Sequence, residues 1–158
     1  MPSLARTYNL SLQYLDGNGV PKDEARAFEL NAEAAKSGYH DAVLAMGWFY
    51  LNGVGVESNR EFAEHWYRKS ARQGETKAMF SLGQMAYRQR AFEDAFVWFS
   101  RAAEKGHARS MYWLGKLHWH GNGVPSADKS HAMAFFQKAA RENQVEAKRL
   151  LRYLSQRR

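Results

Sequence analysis

Apolar and small side chains recur along the chain three and four residues apart, which is the spacing of one face of an α-helix. The clearest series is Ala42, Met46, Gly47 and Tyr50, and two similar series follow it. Other helical stretches place a large apolar residue three positions after an alanine, at Ala27 and Leu30, Ala63 and Trp66, Ala95 and Trp98, and Ala132 and Phe135. The pattern predicts pairs of α-helices without strands, and it places these small and large residues on a buried stripe.

Glycine-rich loops separate the two helices of a pair. The motif Gly-x-Gly-Val occurs at residues 17–20, 53–56 and 121–124, with spacings of 36 and 68 residues. Glycine adopts positive φ without strain, so we expect the first glycine of each motif to end the first helix. We expect Asp23, Asn59 and Asp128 to cap the second helix by accepting hydrogen bonds from its free N–H groups.

The longer spacing leaves room for one more unit, which lacks the loop. Four similar helix ends divide the chain into units at about residues 5–38, 39–74, 75–106 and 107–143, and they are followed by Gly38, Gly74, Gly106 and Asn143. One amphipathic segment remains at residues 145–156, and we expect it to be a helix that covers the last unit.

Three units carry a glycine inside the first helix, at Gly47, Gly83 and Gly115. Glycine costs about 1 kcal/mol relative to alanine inside a helix. We therefore expect a neighbouring helix to pass too closely at these positions for a side chain. The first unit has Ser11 at the corresponding position.

The repeated pattern Ala-x-x-x-Leu-Gly-x-x-Tyr-x-x-Gly-x-Gly-Val, with a later aromatic residue and an Ala-Ala-x-x-Gly ending, resembles the Sel-1-like repeat over about residues 5–147. The third unit, without its loop, is more similar to the tetratricopeptide repeat. The resemblance implies an all-α superhelix, or solenoid, of four helix-turn-helix repeats plus a C-terminal capping helix, in a single domain over residues 1–158. It also implies an adaptor that presents a curved surface to protein partners. The chain departs from the pattern at Ser11 and at Arg152, where a fifth unit breaks off.

Composition narrows the function classes. The chain has 45% hydrophobic and 14% aromatic residues, enough to bury a core, and it has no cysteine, so disulfides and thiol chemistry are excluded. No apolar run is long enough to span a membrane. Residues 1–15 lack the continuous apolar stretch of a secretory signal. The default expectation is a cytoplasmic protein, with the periplasm or secretion as the alternative where a signal has been removed.

Two local patterns that imitate catalytic motifs are explained by the repeats. Residues 123–130 match a phosphate-binding loop except at its second glycine, but Asp128 brings negative charge and no strand precedes the loop. Glu61, Glu64 and His65 could form an acid–base group, yet they lie where other units have solvated charges. We therefore expect no enzymatic activity and no cofactor.

The pair His118 and His120 invites comparison with a metal site. Residues two apart on a helix point to different faces, and no third ligand lies at a suitable spacing, so we expect no bound metal. His118 occupies the position of Tyr14 and Tyr50 in other units, which predicts a half-buried packing residue.

Aromatic and cationic residues are frequent at the remaining inward positions of the first helices. Tyr, Trp and Arg are favoured in binding interfaces, whereas aromatic residues at helical spacing also complete cores. The leading hypothesis is a scaffold, expected to be a monomer, that binds a peptide or protein of acidic or mixed character on the concave face. The candidate residues are Tyr8, Leu12, Leu15, Asp41, Leu44, Trp48, Lys77, Phe80, Gln84, Tyr87, Arg109, Tyr112, Lys116 and Trp119.

The distribution of charge leaves an alternative open. Net charge is +7, and the C-terminal segment holds five of the cations, Lys148, Arg149, Arg152, Arg157 and Arg158, against Glu146. A basic helix of this kind binds nucleic acid or another polyanion in some proteins and only aids solubility in others. Nucleic acid is therefore the less favoured partner.

Overall fold

The computed structural model describes residues 3–157, and over that range the backbone forms nine α-helices and no strand. Eight of the helices form four consecutive pairs and the ninth follows alone. They are α1 (Leu4–Asp16), α2 (Glu24–Lys36), α3 (His40–Asn52), α4 (Arg60–Arg72), α5 (Thr76–Arg88), α6 (Phe92–Glu104), α7 (Ala108–His120), α8 (Lys129–Arg141) and α9 (Val145–Ser155). The predicted all-α class is confirmed.

The helices group into two compact units, Met1–Ala78 and Met79–Arg158. In the first unit, α1 to α4 each pack against the next helix, around a core that includes Val43 and Met46. In the second unit, α6 to α9 pack in the same sequential way, around a core that includes Phe99, Leu114 and Leu117.

An aromatic ring of the second helix lies directly over the glycine of the first helix in three pairs. These pairs are Gly47 with Tyr67, Gly83 with Phe99, and Gly115 with Phe136. A Cβ added at Gly47 would lie 2.5 Å from a ring carbon of Tyr67, and a Cβ at Gly83 or Gly115 would collide with its ring in the same way. The predicted close approach is confirmed, and the neighbouring group is a side-chain ring.

The first pair fills the same place with polar side chains. Ser11 and Asn31 replace the glycine and the ring, and both are fully buried. The Ser11 hydroxyl donates to the Ala27 carbonyl at 2.7 Å, and the Asn31 amide donates to the Ala42 carbonyl at 3.0 Å. Hydrogen bonds therefore link α1 to α2 and α2 to α3 where other pairs rely on ring packing.

The deepest aromatic positions differ from those expected from the sequence. Leu30 is buried as predicted, but Trp66, Trp98 and Phe135 are only half-buried. The buried rings lie four residues after the repeated alanine, one position further along. Four residues turn a helix to within about 40° of the starting direction and three residues leave about 60°, so the fourth position faces the partner helix more directly.

The loops and helix ends agree with the expectations. Gly17, Gly53 and Gly121 end the first helices with φ of 71°, 65° and 68°, and Gly38, Gly74, Gly106 and Asn143 also have positive φ. Side chains at the predicted N-caps accept backbone N–H groups at 2.9 to 3.0 Å, at Asp23, Asn59 and Asp128. The short third pair turns through Arg90, which has a φ of 61°.

Candidate partner-binding surfaces

In the first unit, the candidate residues of α1 and α3 differ in accessibility. Tyr8, Leu12 and Leu44 are half-buried, as is Leu15, whereas Trp48 is 41% exposed. The Tyr8 ring lies 5.4 Å from the Tyr39 ring. Burial raises the pKa of the Tyr8 hydroxyl, and the negative charge of the exposed Asp41 acts in the same direction, so this hydroxyl stays protonated.

Trp48 is the most open of the candidate aromatic residues in this unit. Its ring meets the buried Phe49 ring edge-on at 5.4 Å, and the Asn52 side-chain amide donates to its carbonyl at 2.9 Å. Contacts within α3 therefore fix the backbone and one edge of Trp48, while part of its ring is exposed to solvent. Lys77, at the start of α5, is also exposed.

In the second unit, α7 presents cations and aromatic rings in turn along one stripe. Arg109, Tyr112, Lys116 and Trp119 follow one another at intervals of three, four and three residues, which keeps them on one side of the helix. Arg109 is exposed and the other three are half-buried. These four residues are called the α7 stripe below.

Aromatic rings hold the charged end of Lys116. Its Nζ lies 4.4 Å from the ring centroid of Trp113 and 6.0 Å from those of Tyr87 and Tyr112. The Trp113 ring also stacks on Phe99, with centroids 5.7 Å apart and 17° between the ring planes. Cation–π attraction contributes about 0.5 to 1 kcal/mol at accessible sites, so the ammonium group is restrained without a carboxylate partner.

The remaining candidates of the second unit lie partly in its core. Phe80 is only 6% exposed, and its ring centroid lies 5.8 Å from that of Phe99. The Arg109 guanidinium lies over the Phe80 ring, 4.8 Å from its centroid. Phe80 is therefore a core residue that supports Arg109 and is not itself available to a partner. Gln84 and Tyr87 are half-buried, and the Tyr87 ring packs 4.7 Å from Trp113.

Two accessible aromatic residues were missed by sequence reasoning. Trp113 lies one position outside the expected stripe, and its role depends on contacts with α5 and α6. Tyr153 is 49% exposed on α9, and the Arg157 guanidinium lies 4.8 Å over its ring. The repeat register would have found Tyr153, because it occupies in α9 the position that Lys116 occupies in α7.

His118 packs between rings, as its predicted half-buried position requires. Its imidazole stacks on His131 at 5.1 Å and on Phe135 at 5.5 Å. Burial lowers the pKa of His118, the neighbouring His131 lowers it further, and Asp128 opposes them. His131 in turn contacts the Asp128 carboxylate at 2.9 Å. A pocket of about 310 Å³ lies beside His118, His131 and Asp128, and its other lining residues are Phe96, Gly123, Val124, Pro125 and Ser126.

The other local patterns form ordinary surface structure. The half-buried Glu64 carboxylate pairs with the exposed Arg68 at 2.6 Å. Across residues 3–157, no cluster of three or more His, Asp or Glu side chains is arranged to hold a metal ion. Over the same residues, no helix has both the length and the apolar character needed to cross a membrane.

Paired helices closed by ring-over-glycine contacts, with accessible aromatic and cationic side chains on the first helices, define a helical-repeat scaffold. A family model described as the Sel1 repeat matches residues 7–39, 40–75, 76–107 and 108–144. The chain belongs to the Sel1 repeat family. Sel1 repeat proteins generally mediate protein–protein interaction, and the repeat scaffold is typically non-catalytic.

Similar proteins come from bacteria and yeast. A protective antigen of uropathogenic Escherichia coli with an SLR fold is 28% identical, with a TM-score of 0.88 over 96% of this chain and 33% of that chain. A Sel1 repeat protein from Oxalobacter formigenes is 27% identical, with a TM-score of 0.87 over 94% of this chain and 62% of that chain. The chitin synthase regulator SKT5 of Saccharomyces cerevisiae is 38% identical over 61 residues, which is 39% of this chain and 9% of the regulator. The predicted repeat-solenoid class is confirmed, and the chain spans less than two thirds of each of these relatives.

Proposed function

We propose that the chain is a non-catalytic interaction scaffold that binds a peptide or protein partner through accessible side chains of its first helices. The observation that carries the proposal is that aromatic and cationic side chains remain accessible there although the helix pairs are already closed. Trp48 is 41% exposed and Arg109 is exposed. Tyr112 and Trp119 are half-buried, with ring centroids 5.7 and 6.3 Å from that of Phe136, so part of each side chain remains accessible. Such residues are enriched among the side chains that dominate binding energy.

The relatives support a role exercised on other proteins. One of them is, by its name, a regulator of chitin synthase, and the match to it spans 61 residues, or 39% of this chain. A regulator of an enzyme needs surfaces for other macromolecules more than it needs a reaction centre.

The proposal is tested with a captured partner and a pair of substitutions. Trp48→Ala combined with Tyr112→Ala is expected to weaken binding at least about tenfold, because aromatic anchors at desolvated interfaces contribute about 2 kcal/mol or more each. The melting temperature should fall only moderately, because Trp48 is exposed and Tyr112 is half-buried against Phe136, so binding is compared at a temperature at which both proteins are folded. A folded double variant that binds its partner with unchanged affinity would contradict the proposal.

The second candidate function is binding of a polyanion by α9. Lys148, Arg149 and Arg152 are all exposed, as is Arg157, whereas Arg158 lies outside the described residues. Replacing Arg157 and Arg158 by glutamine should do little to a scaffold and should weaken a polyanion site. A steep fall of affinity with added salt would accompany polyanion binding.

A further inference from the structure

The first helices of the two units differ in charge. In the first unit, α1 and α3 carry Arg6 against Asp16 and Asp41. In the second unit, α7 and the part of α5 after Ala78 contain no carboxylate. The one acidic residue of α9 is Glu146. The same segments carry six cations, Arg88, Arg109, Lys116, Lys148, Arg149 and Arg152.

These helices are neighbours within the second unit. Lys116 of α7 approaches Tyr87 of α5, and the charge of Glu146 on α9 raises the pKa of Tyr112 on α7, after the larger effect of burial. The Glu146 carboxylate accepts a hydrogen bond from the Gln144 side-chain amide. These segments of the second unit therefore carry an excess of positive charge that their own carboxylates do not neutralise.

From these contacts we infer that the α7 stripe binds an acidic peptide segment, with carboxylates at Arg109 and Lys116 and apolar side chains against Tyr112 and Trp119. This inference rests on the proposed function and specifies the chemistry of the partner. Among the described residues, neither Arg109 nor Lys116 forms an ion pair, and each is positioned by an aromatic ring. A positioned cation loses less side-chain entropy when a carboxylate binds.

The spacing of the stripe suits a peptide. Arg109 and Lys116 are seven residues apart, so their attachment points lie about 10 Å apart along the helix. Tyr112 and Trp119 alternate with them, which gives a peptide one apolar contact beside each charged contact. Charge complementarity of this kind sets orientation and specificity, while the aromatic contacts contribute affinity.

The surroundings of Trp113 favour a peptide over nucleic acid. Single-stranded nucleic acids bind largely by stacking bases on accessible aromatic faces. Here Phe99 stacks on Trp113 and Lys116 lies over the same ring, while Tyr112 packs 5.7 Å from Phe136. The Trp113 ring is therefore already covered by Phe99 and Lys116, and the half-buried Tyr112 offers a partner only part of its surface, which suits contact with a side chain better than full stacking of a base.

To test the inference, a display library of random short peptides is selected for binding to the full chain, and the affinity of each enriched peptide is then measured. Enriched sequences should be rich in Asp and Glu, and Lys116→Gln or Arg109→Gln should weaken them about tenfold each. Lys116→Arg keeps the charge and the cation–π contact and should retain binding. Lys138→Gln removes an exposed cation of α8 and is the control that should also retain binding.

Each contrary result has a distinct meaning. Enriched peptides without acidic bias that still depend on Tyr112 would overturn this inference and leave the proposed scaffold function intact. A library that yields no binder would overturn the inference and peptide binding together. A single-stranded oligonucleotide probe that binds the chain and is released by Lys116→Gln would assign the stripe to nucleic acid instead. Circular dichroism of each variant confirms that the helices remain folded.

Discussion

At the scale of single residues, the contact between a helical glycine and an aromatic ring decides how each pair closes. The sequence predicted which glycines are approached, because a glycine inside a helix is costly unless something requires it. It did not predict which ring approaches, because positions three and four residues after the alanine both lie near the buried face. The roles of Phe80 and Trp113 were also beyond reach, since they depend on contacts between helices that are distant in sequence.

The Gly115→Ala substitution tests this contact. Alanine is the better helix former by about 1 kcal/mol, but its Cβ would collide with the Phe136 ring, which is 1% exposed and has little room to move. Overpacking of this kind costs about 1 to 3 kcal/mol, so we expect net destabilisation in urea unfolding. The double variant Gly115→Ala with Phe136→Leu should lose less free energy of unfolding than the sum of the losses in the two single variants. Strict additivity of the two changes would show that the ring and the glycine are not coupled.

His118 is expected to make stability depend on pH. Its pKa is lowered in the fold by burial and by His131, so the folded state favours the neutral ring. This contribution is present above the unfolded pKa of about 6.5 and is lost as pH falls below it. The free energy of unfolding should therefore decrease from about pH 7 to about pH 5.

The substitution His118→Tyr, which copies Tyr14 and Tyr50, supplies the comparison for that measurement. It removes the titrating ring from between Phe135 and His131 and should make the pH dependence shallower over the same range. Asp128, whose pKa is lowered chiefly by hydrogen bonds from His131, contributes at more acidic pH and lies outside this window. An equal slope in both proteins would exclude His118 as the source.

At the scale of helices, local signals specify where each element begins and ends. Positive φ at Gly17 and at Gly53, together with side-chain caps at Asp23 and Asn59, could be predicted because these residues act through their own backbone. The extent of burial on α9 was less predictable. Ala147 is fully buried in the core of the second unit, whereas the leucines that follow it are only half-buried, because no further helix packs on them within the described residues.

Deletion of residues 145–158 tests whether α9 is a cap. Removing it would expose the side of α8 against which Ala147 packs, so we expect a lower melting temperature or aggregation. A chain that ends after Gln156 retains the helix and should melt like the full chain. An unchanged melting temperature after the longer deletion would show that α9 is a dispensable basic extension.

At the scale of the whole molecule, accessible apolar side chains occur on both kinds of helix. Trp48 on α3 and Tyr112 on α7 belong to first helices, whereas Phe62 on α4 and Val97 on α6 are 54% and 45% exposed on second helices. Exposure alone therefore does not select a binding surface. A cation placed over a ring does not select one either, because Lys69 lies 5.0 Å over Trp66 on α4 and Arg101 lies 5.0 Å over Trp98 on α6. We favour the first helices because Trp48 is exposed on α3 and because α7 combines two such cations, Arg109 and Lys116, with further aromatic residues on one stripe.

Site-specific photocrosslinking to a captured partner tests that selection most directly. A photoreactive phenylalanine analogue would be placed in turn at Trp48, Tyr112, Phe62 and Val97, and crosslinked products would be compared at equal occupancy. We expect products from Trp48 or Tyr112 and none from Phe62 or Val97. Products confined to Phe62 or Val97 would contradict this expectation, because the partner would then bind the second helices.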